Sequence, residues 1–255
     1  APLPSRPRPC GLQQQAVGCY ECHSLNADRH QDNFEHFGYQ INVVVSPADC
    51  AVCHQSEADQ FAGSKKAHAH GNLADNPLFH RLVDEVLGVE TLRNGTFHEQ
   101  APLPATKANA CFGCHGTEIT VEGLKTVETF MGEIELPDLA GWPNQGIGRV
   151  NPDGSLGSCA ACHPRHSFAI EIARQPYTCS QCHLDPDVPA YPVYRESKHG
   201  NIFQSGGHSW NLQAVPWTPG KDFKAPTCAV CHNSLLVDPQ GEVLAERTHD
   251  FGARL

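Results

Sequence analysis

Long apolar runs are missing from this chain: nothing in its 255 residues approaches the roughly 18 consecutive apolar residues of a membrane span. Side chains for an ordinary core are scarce too, with 11 Phe, 5 Tyr, 3 Trp and a single Met. Basic residues are outnumbered, 18 Lys and Arg against 28 Asp and Glu. The net charge of −10 argues against nucleic-acid binding, which wants a basic face, and fits a well-solvated surface and a basic partner. The chain opens at Ala1 with no basic-then-apolar leader, which reads as a mature form whose export signal has been removed. With 22 Gly and 20 Pro, long regular elements should be few.

Cysteine and histidine are plentiful, at 13 and 16. Twelve of the cysteines fall into six copies of Cys-x-x-Cys-His: Cys19–Cys22–His23, Cys50–Cys53–His54, Cys111–Cys114–His115, Cys159–Cys162–His163, Cys179–Cys182–His183 and Cys228–Cys231–His232. Composition alone would give roughly 0.04 copies, so the pattern is not accidental. It is the attachment signature of c-type haem. Two thiols bond the vinyl groups of one porphyrin, and the next residue lies under the ring, where its imidazole reaches the iron. Structural zinc would not require a His after every second Cys, and a disulfide framework would not either. The expected cofactors are therefore six covalently bound haem c groups. They would also supply apolar volume that the side chains lack. Cys10 is left over, read as a free or buried thiol, or one that pairs between chains.

Ten histidines remain for the distal side of the irons: His30, His36, His68, His70, His80, His98, His166, His199, His208 and His249. Met131 allows at most one His/Met haem, the ligation that raises the potential. Mostly bis-His, low-spin, low-potential haems follow, and such irons pass electrons rather than bind substrate. The favoured distal ligands are His166, His199 and His249, then His68, His70 and His80.

Along the chain, residues 1–12 form a proline-rich arm suited to docking on a neighbour. Residues 13–255 read as a single hexahaem domain. Ser56 with Asp59 resembles a capping box opening a short helix toward Phe61. Asn76-Pro77 opens a helix through Gly88, with Leu78, Leu82 and Val86 on one face and His80 and Asp84 opposite. Residues 116–158 read as loop or hairpin, with a turn at Asn151-Pro152-Asp153-Gly154. A second helix is expected over about Arg165 to Gln175, with Phe168 and Ile172 on one face, stopped by Pro176. Pro186, Pro189 and Pro192 should prevent regular structure, and residues 216–227 should be a loop entering the last motif. Motif starts at 19, 50, 111, 159, 179 and 228 are unevenly spaced, so no simple repeat is present. The short interval between 159 and 179 suggests stacked haems. The expected fold is mainly α with much irregular loop and little β, short helices wrapped around a stacked haem chain.

The second half resembles the hydroxylamine oxidoreductase-like family of multihaem cytochromes. The match runs through Cys159-Ala-Ala-Cys162-His163-Pro164-Arg165-His166-Ser167-Phe168, Ala173-Arg174, Cys179-Ser-Gln-Cys182-His183 and Asp185-Pro186-Asp187. It continues through Tyr194-Arg195-Glu196-Ser197-Lys198-His199-Gly200, Trp217-Thr-Pro-Gly220, Asp222-Phe223, Ala225-Pro-Thr-Cys228, His249-Asp250 and Arg254-Leu255. Cys50 to Gly88 is similar less specifically, and about 60% of the chain is covered. The resemblance implies a helical, haem-stacked fold outside the cytoplasm, with His166, His199 and His249 as distal ligands. Family enzymes carry eight haems, one open to substrate beside an Asp-His loop. Here the loop reads Asp187-Val188, two motifs are missing, and the sequence stops before the family's C-terminal helical region and its cross-linking Tyr. A Val can neither transfer protons nor hydrogen-bond a bound nitrogen species.

The expectation is electron transfer by an exported cytochrome, periplasmic or at the cell surface, with no catalytic residues of its own. Its partners would be redox proteins or extracellular acceptors, and copies of itself joined end to end into a conductive filament. The alternative is an oxidoreductase of small nitrogen or sulfur compounds at one open haem. Asp187 would be its pocket acid, and the haem of Cys159–His163 its site.

Overall fold

The computed structural model describes residues 17–130 and 132–254; Cys10, Met131 and the proline-rich arm lie outside them. The chain is mainly helical and irregular, with small two-stranded antiparallel sheets. It divides into two compact units, one taking in residues up to Asp59 together with Lys66–Ser158, the other Gln60–Lys65 with Cys159–Leu255.

The first unit begins with α1 (Cys19–His23), followed by the hairpin β1 (Asn33–His36) and β2 (Tyr39–Asn42). Helix α2 (Pro47–Ala62) comes next. Its start is a capping box: the Ala48 amide donates to Ser46 Oγ at 3.1 Å, and the Ser46 amide donates to Asp49 Oδ2 at 2.8 Å. Ser56 and Asp59 therefore lie inside the helix, not at its start. The helix kinks at His54 (φ −120°, ψ 47°), so the expected short helix is its second half.

Then follow α3 (Ala69–Ala74) and α4 (Pro77–Leu87). As expected, α4 has Asn76 as its cap, its side chain accepting from the Leu78 amide at 2.9 Å. Its apolar face is placed unexpectedly: Leu78, Leu82 and Val86 are more than half exposed, and Val83 is the buried residue. Strands β3 (Val89–Arg93) and β4 (Thr96–Gln100) form a second hairpin, before α5 (Pro104–Asn109) and α6 (Cys111–His115). The hairpin expected after residue 116 is β5 (Thr120–Thr129) with β6 (Gly132–Ala140). The turn at Asn151 closes with the Gly154 amide on Asn151 O at 2.9 Å.

This unit has a polar interior. Arg149, 2% exposed, donates to Asn151 Oδ1 (2.6 Å), Val45 O (2.7 Å) and Asn144 O (3.2 Å). Gly116 must be glycine: at φ +92° a Cβ would sit 2.2 Å from the Arg149 amide nitrogen.

The second unit contains α7 (Ile170–Ala173), α8 (Pro176–Ser180), α9 (Ala190–Glu196), α10 (Lys198–Gly206), α11 (Cys228–His232), β7 (Leu236–Val237) and β8 (Val243–Ala245). The helix expected over 165–175 shrinks to the four residues of α7. His166 and Phe168 both take positive φ (71° and 46°), which ends any helix through them. Pro176 opens α8 instead of merely stopping a helix, since proline suits a first helical position. Pro192 sits in the first turn of α9, where its missing N–H costs nothing, so regular structure persists there. The core gathers Leu212, Trp217, Phe223, Ala229, Val230 and Leu236. Arg174 lies over the Trp217 ring at 4.4 Å and donates to Leu212 O (2.8 Å) and Ala214 O (2.7 Å).

Candidate haem centres

Each motif is wound into a single turn. Helices α1, α6 and α11 each run from the first Cys to the His, and Cys50–His54 lies within α2 up to its kink. In the other two, the His163 and His183 amides donate to Cys159 O (2.9 Å) and Cys179 O (3.0 Å). A turn places residues three and four apart on one side, so two sulfurs and the imidazole can address one porphyrin.

Three motif imidazoles and one other are anchored through Nδ1. His23 Nδ1 donates to Asn42 O (2.8 Å), His115 Nδ1 to Ala69 O (2.9 Å) and His232 Nδ1 to Phe251 O (3.1 Å). A carbonyl only accepts, so Nδ1 carries the proton and Nε2 keeps its lone pair for a metal. His70 is held the same way, with Nδ1 2.7 Å from Gly116 O.

His163 and His249 face each other, ring centroids 6.5 Å apart and planes within 24°. An iron about 2 Å from each of two imidazole nitrogens sets the centroids roughly 6–6.5 Å apart. The Gln60 side chain fixes the His249 backbone, its Oε1 accepting from the His249 amide at 2.9 Å. These donors fit haem.

Other histidines are placed differently. His80 turns Nε2 to Ala74 O (2.7 Å). His68 stands at the N-terminus of α3, His199 in the first turn of α10 and His166 in the Pro164–Phe168 turn, all exposed. His36, His98 and His208 are exposed as well. His54 is exposed, and His183 closes the turn of its own motif.

His30 has a structural role that the sequence reading missed. Its side chain is fully buried, with Nδ1 3.0 Å from Asp32 Oδ1 and Nε2 3.2 Å from Asp49 Oδ1. Burial alone would push its pKa down; the hydrogen bonds to the two carboxylates overcome this and hold it at about 10. An imidazolium with both nitrogens engaged cannot ligate a metal. The capping box at Ser46-Pro-Ala-Asp49 was the signal in the sequence.

Cysteines of different motifs meet. Cys228 lies within hydrogen-bonding reach of Cys179, and that bond together with burial raises its pKa above the ordinary thiol range. The Cys22 thiol is raised by burial and then by the proximity of Cys50 and Asp49. Cys53 is in a disulfide, so its sulfur is open to a porphyrin only once that bond is reduced. Asp187 is exposed on its turn. Among the described residues no helix is long and apolar enough to cross a membrane, and no three His, Cys, Asp or Glu side chains form a metal-holding cluster. A porphyrin would have to supply the equatorial donors.

Residues 150–243 match the family profile described as seven times multi-haem cytochrome CxxCH. The chain is 28% identical over 82% of its length to a probable nitrite reductase-hydroxylamine oxidoreductase fusion protein of Kuenenia stuttgartiensis, spanning 28% of that protein. Among solved structures, a hypothetical multiheme protein is 50% identical with a TM-score of 0.86, over 95% of this chain and 46% of the other. A reducing HAO-like protein complex of Kuenenia stuttgartiensis shares the fold at 21% identity and a TM-score of 0.53, over 88% of this chain and 33% of the other. The chain thus spans less than half the length of each of these proteins.

Proposed function

As this chain carries a multihaem cytochrome CxxCH domain and is homologous to hydroxylamine oxidoreductase-like proteins, we propose that it conducts electrons through six covalently attached haems. The observation that carries this reading is the meeting of Cys179 with Cys228. Porphyrins held through these two neighbouring sulfurs would lie close to one another, as electron transfer between them requires.

Haem iron supplies a one-electron couple, and the chain's task is to orient and tune it. His23, His115 and His232, each tied through Nδ1 to a carbonyl, would hold haem iron as stiff, basic ligands. His163 and His249, with ring centroids 6.5 Å apart, would together hold the iron of the fourth haem and leave it no open position for substrate. Bis-His ligation favours low potentials, since raising them calls for Met, and Met131 is single. We place the protein outside the cytoplasm, in the periplasm or at the cell surface, where its acidic surface would receive a basic redox partner. Histidines beyond the axial demand of six haems support end-to-end association of copies.

Electron paramagnetic resonance of the ferric protein tests the reading. Every haem is expected to be low-spin, and reduction should proceed without turnover of hydroxylamine or nitrite. A stoichiometric high-spin haem with turnover of either compound would establish the enzymatic alternative, to which the relatives' names point.

A further inference from the structure

A buried chain of hydrogen bonds ties the first Cys-x-x-Cys-His motif to the second. It starts at the imidazole of the first, His23, whose Nδ1 donates to Asn42 O (2.8 Å). The Asn42 side chain donates in turn to Val44 O (3.0 Å), and the Val44 amide donates to Asp32 Oδ2 (2.6 Å). Asp32 Oδ1 accepts from His30 Nδ1 (3.0 Å), and His30 Nε2 donates to Asp49 Oδ1 (3.2 Å). Asp49 is the residue before Cys50. A shorter tether runs beside this one: the Asn26 side chain, three residues past His23, donates to the same Asp49 oxygen (3.1 Å). Asp32, Asn42 and Val44 are 0% exposed.

Both nitrogens of His30 address carboxylate oxygens, which only accept, so both carry protons and the ring is a cation. Two further charges lie on the segments packed around it. Asp153 accepts from Ser46 Oγ (2.6 Å), and Arg149 donates to Val45 O (2.7 Å). Water does not screen charges in such an interior, so their fields reach further than at a surface. Ferric iron carries one positive charge more than ferrous iron. A fixed cation nearby therefore favours the reduced form, and a fixed anion the oxidised form.

We infer that His30 is a positioning residue for electron transfer: a buried cation that joins the first two attachment segments and raises the potential of the haem held by His23. This rests on the haem reading above and gives a role in tuning to a histidine that cannot ligate iron. Asp32, in the same chain of bonds, acts on the same haem with the opposite sign.

The experiment compares the mature protein with His30→Gln and Asp32→Asn at pH 6, by redox titration of the individual haems. Nuclear magnetic resonance contacts between haem methyl groups and residues of α1 identify the haem of His23. Intact mass is read first. Equal haem numbers are expected in all three proteins; a haem lost from a variant would leave His30 a structural role only, whereas an unsubstituted protein without haem would instead remove the haem reading itself. The haem of His23 should titrate at lower potential in His30→Gln and at higher potential in Asp32→Asn. Mere opening of the site to water would favour the charged ferric form in both variants, and so lower the potential in both. Shifts of the same sign, no shift, or shifts confined to other haems would overturn the inference. If His30→Gln does not accumulate, Asp32→Asn decides alone: a rise at the haem of His23 is expected, and an unchanged or lowered potential is the contrary result.

Discussion

Replacing His30 with alanine is expected to cost about 3–5 kcal/mol of stability, the usual result of removing one partner from a buried ion pair. Asp32 and Asp49, side chains 0% and 2% exposed, would face each other with no cation between them. Both carboxylates also hold backbone: Asp32 Oδ2 accepts from the Val44 amide (2.6 Å) and Asp49 Oδ2 from the Ser46 amide (2.8 Å). Loss of the imidazolium should therefore loosen the start of α2 and the segment around Asn42 that holds His23.

The pH dependence carries a sign. The His30 pKa rises from 6.5 to about 10 on folding. Its contribution is thus complete below pH 6.5 and disappears as pH climbs from 6.5 to 10. Denaturant midpoints should fall over that window in the unsubstituted protein. In His30→Ala this component of the slope should vanish, and acid should restore part of the stability by neutralising the two carboxylates. Equal midpoints for the two proteins at pH 6 would remove the triad from this account.

The second large effect concerns the cofactor. A chain produced without haem attachment is expected to lack a cooperative fold. Among the described residues, fourteen hydrophobic side chains are buried, whereas twenty-one large ones are exposed, Phe97 at 72% and Val86 at 76% among them. Each fully exposed Leu, Val or Phe forgoes roughly 1.5–3 kcal/mol of burial. A domain's net stability is about 5–15 kcal/mol, so even partial covering of these residues by porphyrin decides whether the chain folds. In the first unit the polar interior around Arg149 offers no substitute core. Circular dichroism and calorimetry of the haem-free chain should show little helix and no sharp transition. A haem-free chain that melts sharply at the temperature of the loaded protein would contradict this.

Legibility in the sequence followed the range over which each residue acts. Elements set by near neighbours were readable: α4 from Asn76-Pro77, the turn at Asn151-Pro152, and the hairpin after residue 116. The helix expected at 165–175 was not, because its periodicity is real while His166 and Phe168 adopt backbone angles that periodicity does not report. Pro192 was misread because a proline breaks a helix interior and suits a first turn, and sequence does not fix where the turn starts. The exposed face of α4 looked like core because periodicity reports an apolar stripe and not what covers it.

At the candidate site, the six Cys-x-x-Cys-His motifs were legible from spacing alone. Which distal candidates have an available nitrogen was not, since that depends on partners far along the chain. Gly116 sits 46 residues from His70, and Asp49 sits 19 from His30. Ser46 and Asp49 offered a local cue, masked by the neighbouring Ser56–Asp59 pattern.

The most direct measurement is the intact mass of the mature protein in denaturing solvent, where loosely held cofactors are shed and thioethers survive. The account predicts the polypeptide mass plus six haems. Polypeptide mass alone, or any number of attached haems short of six at full maturation, would contradict it.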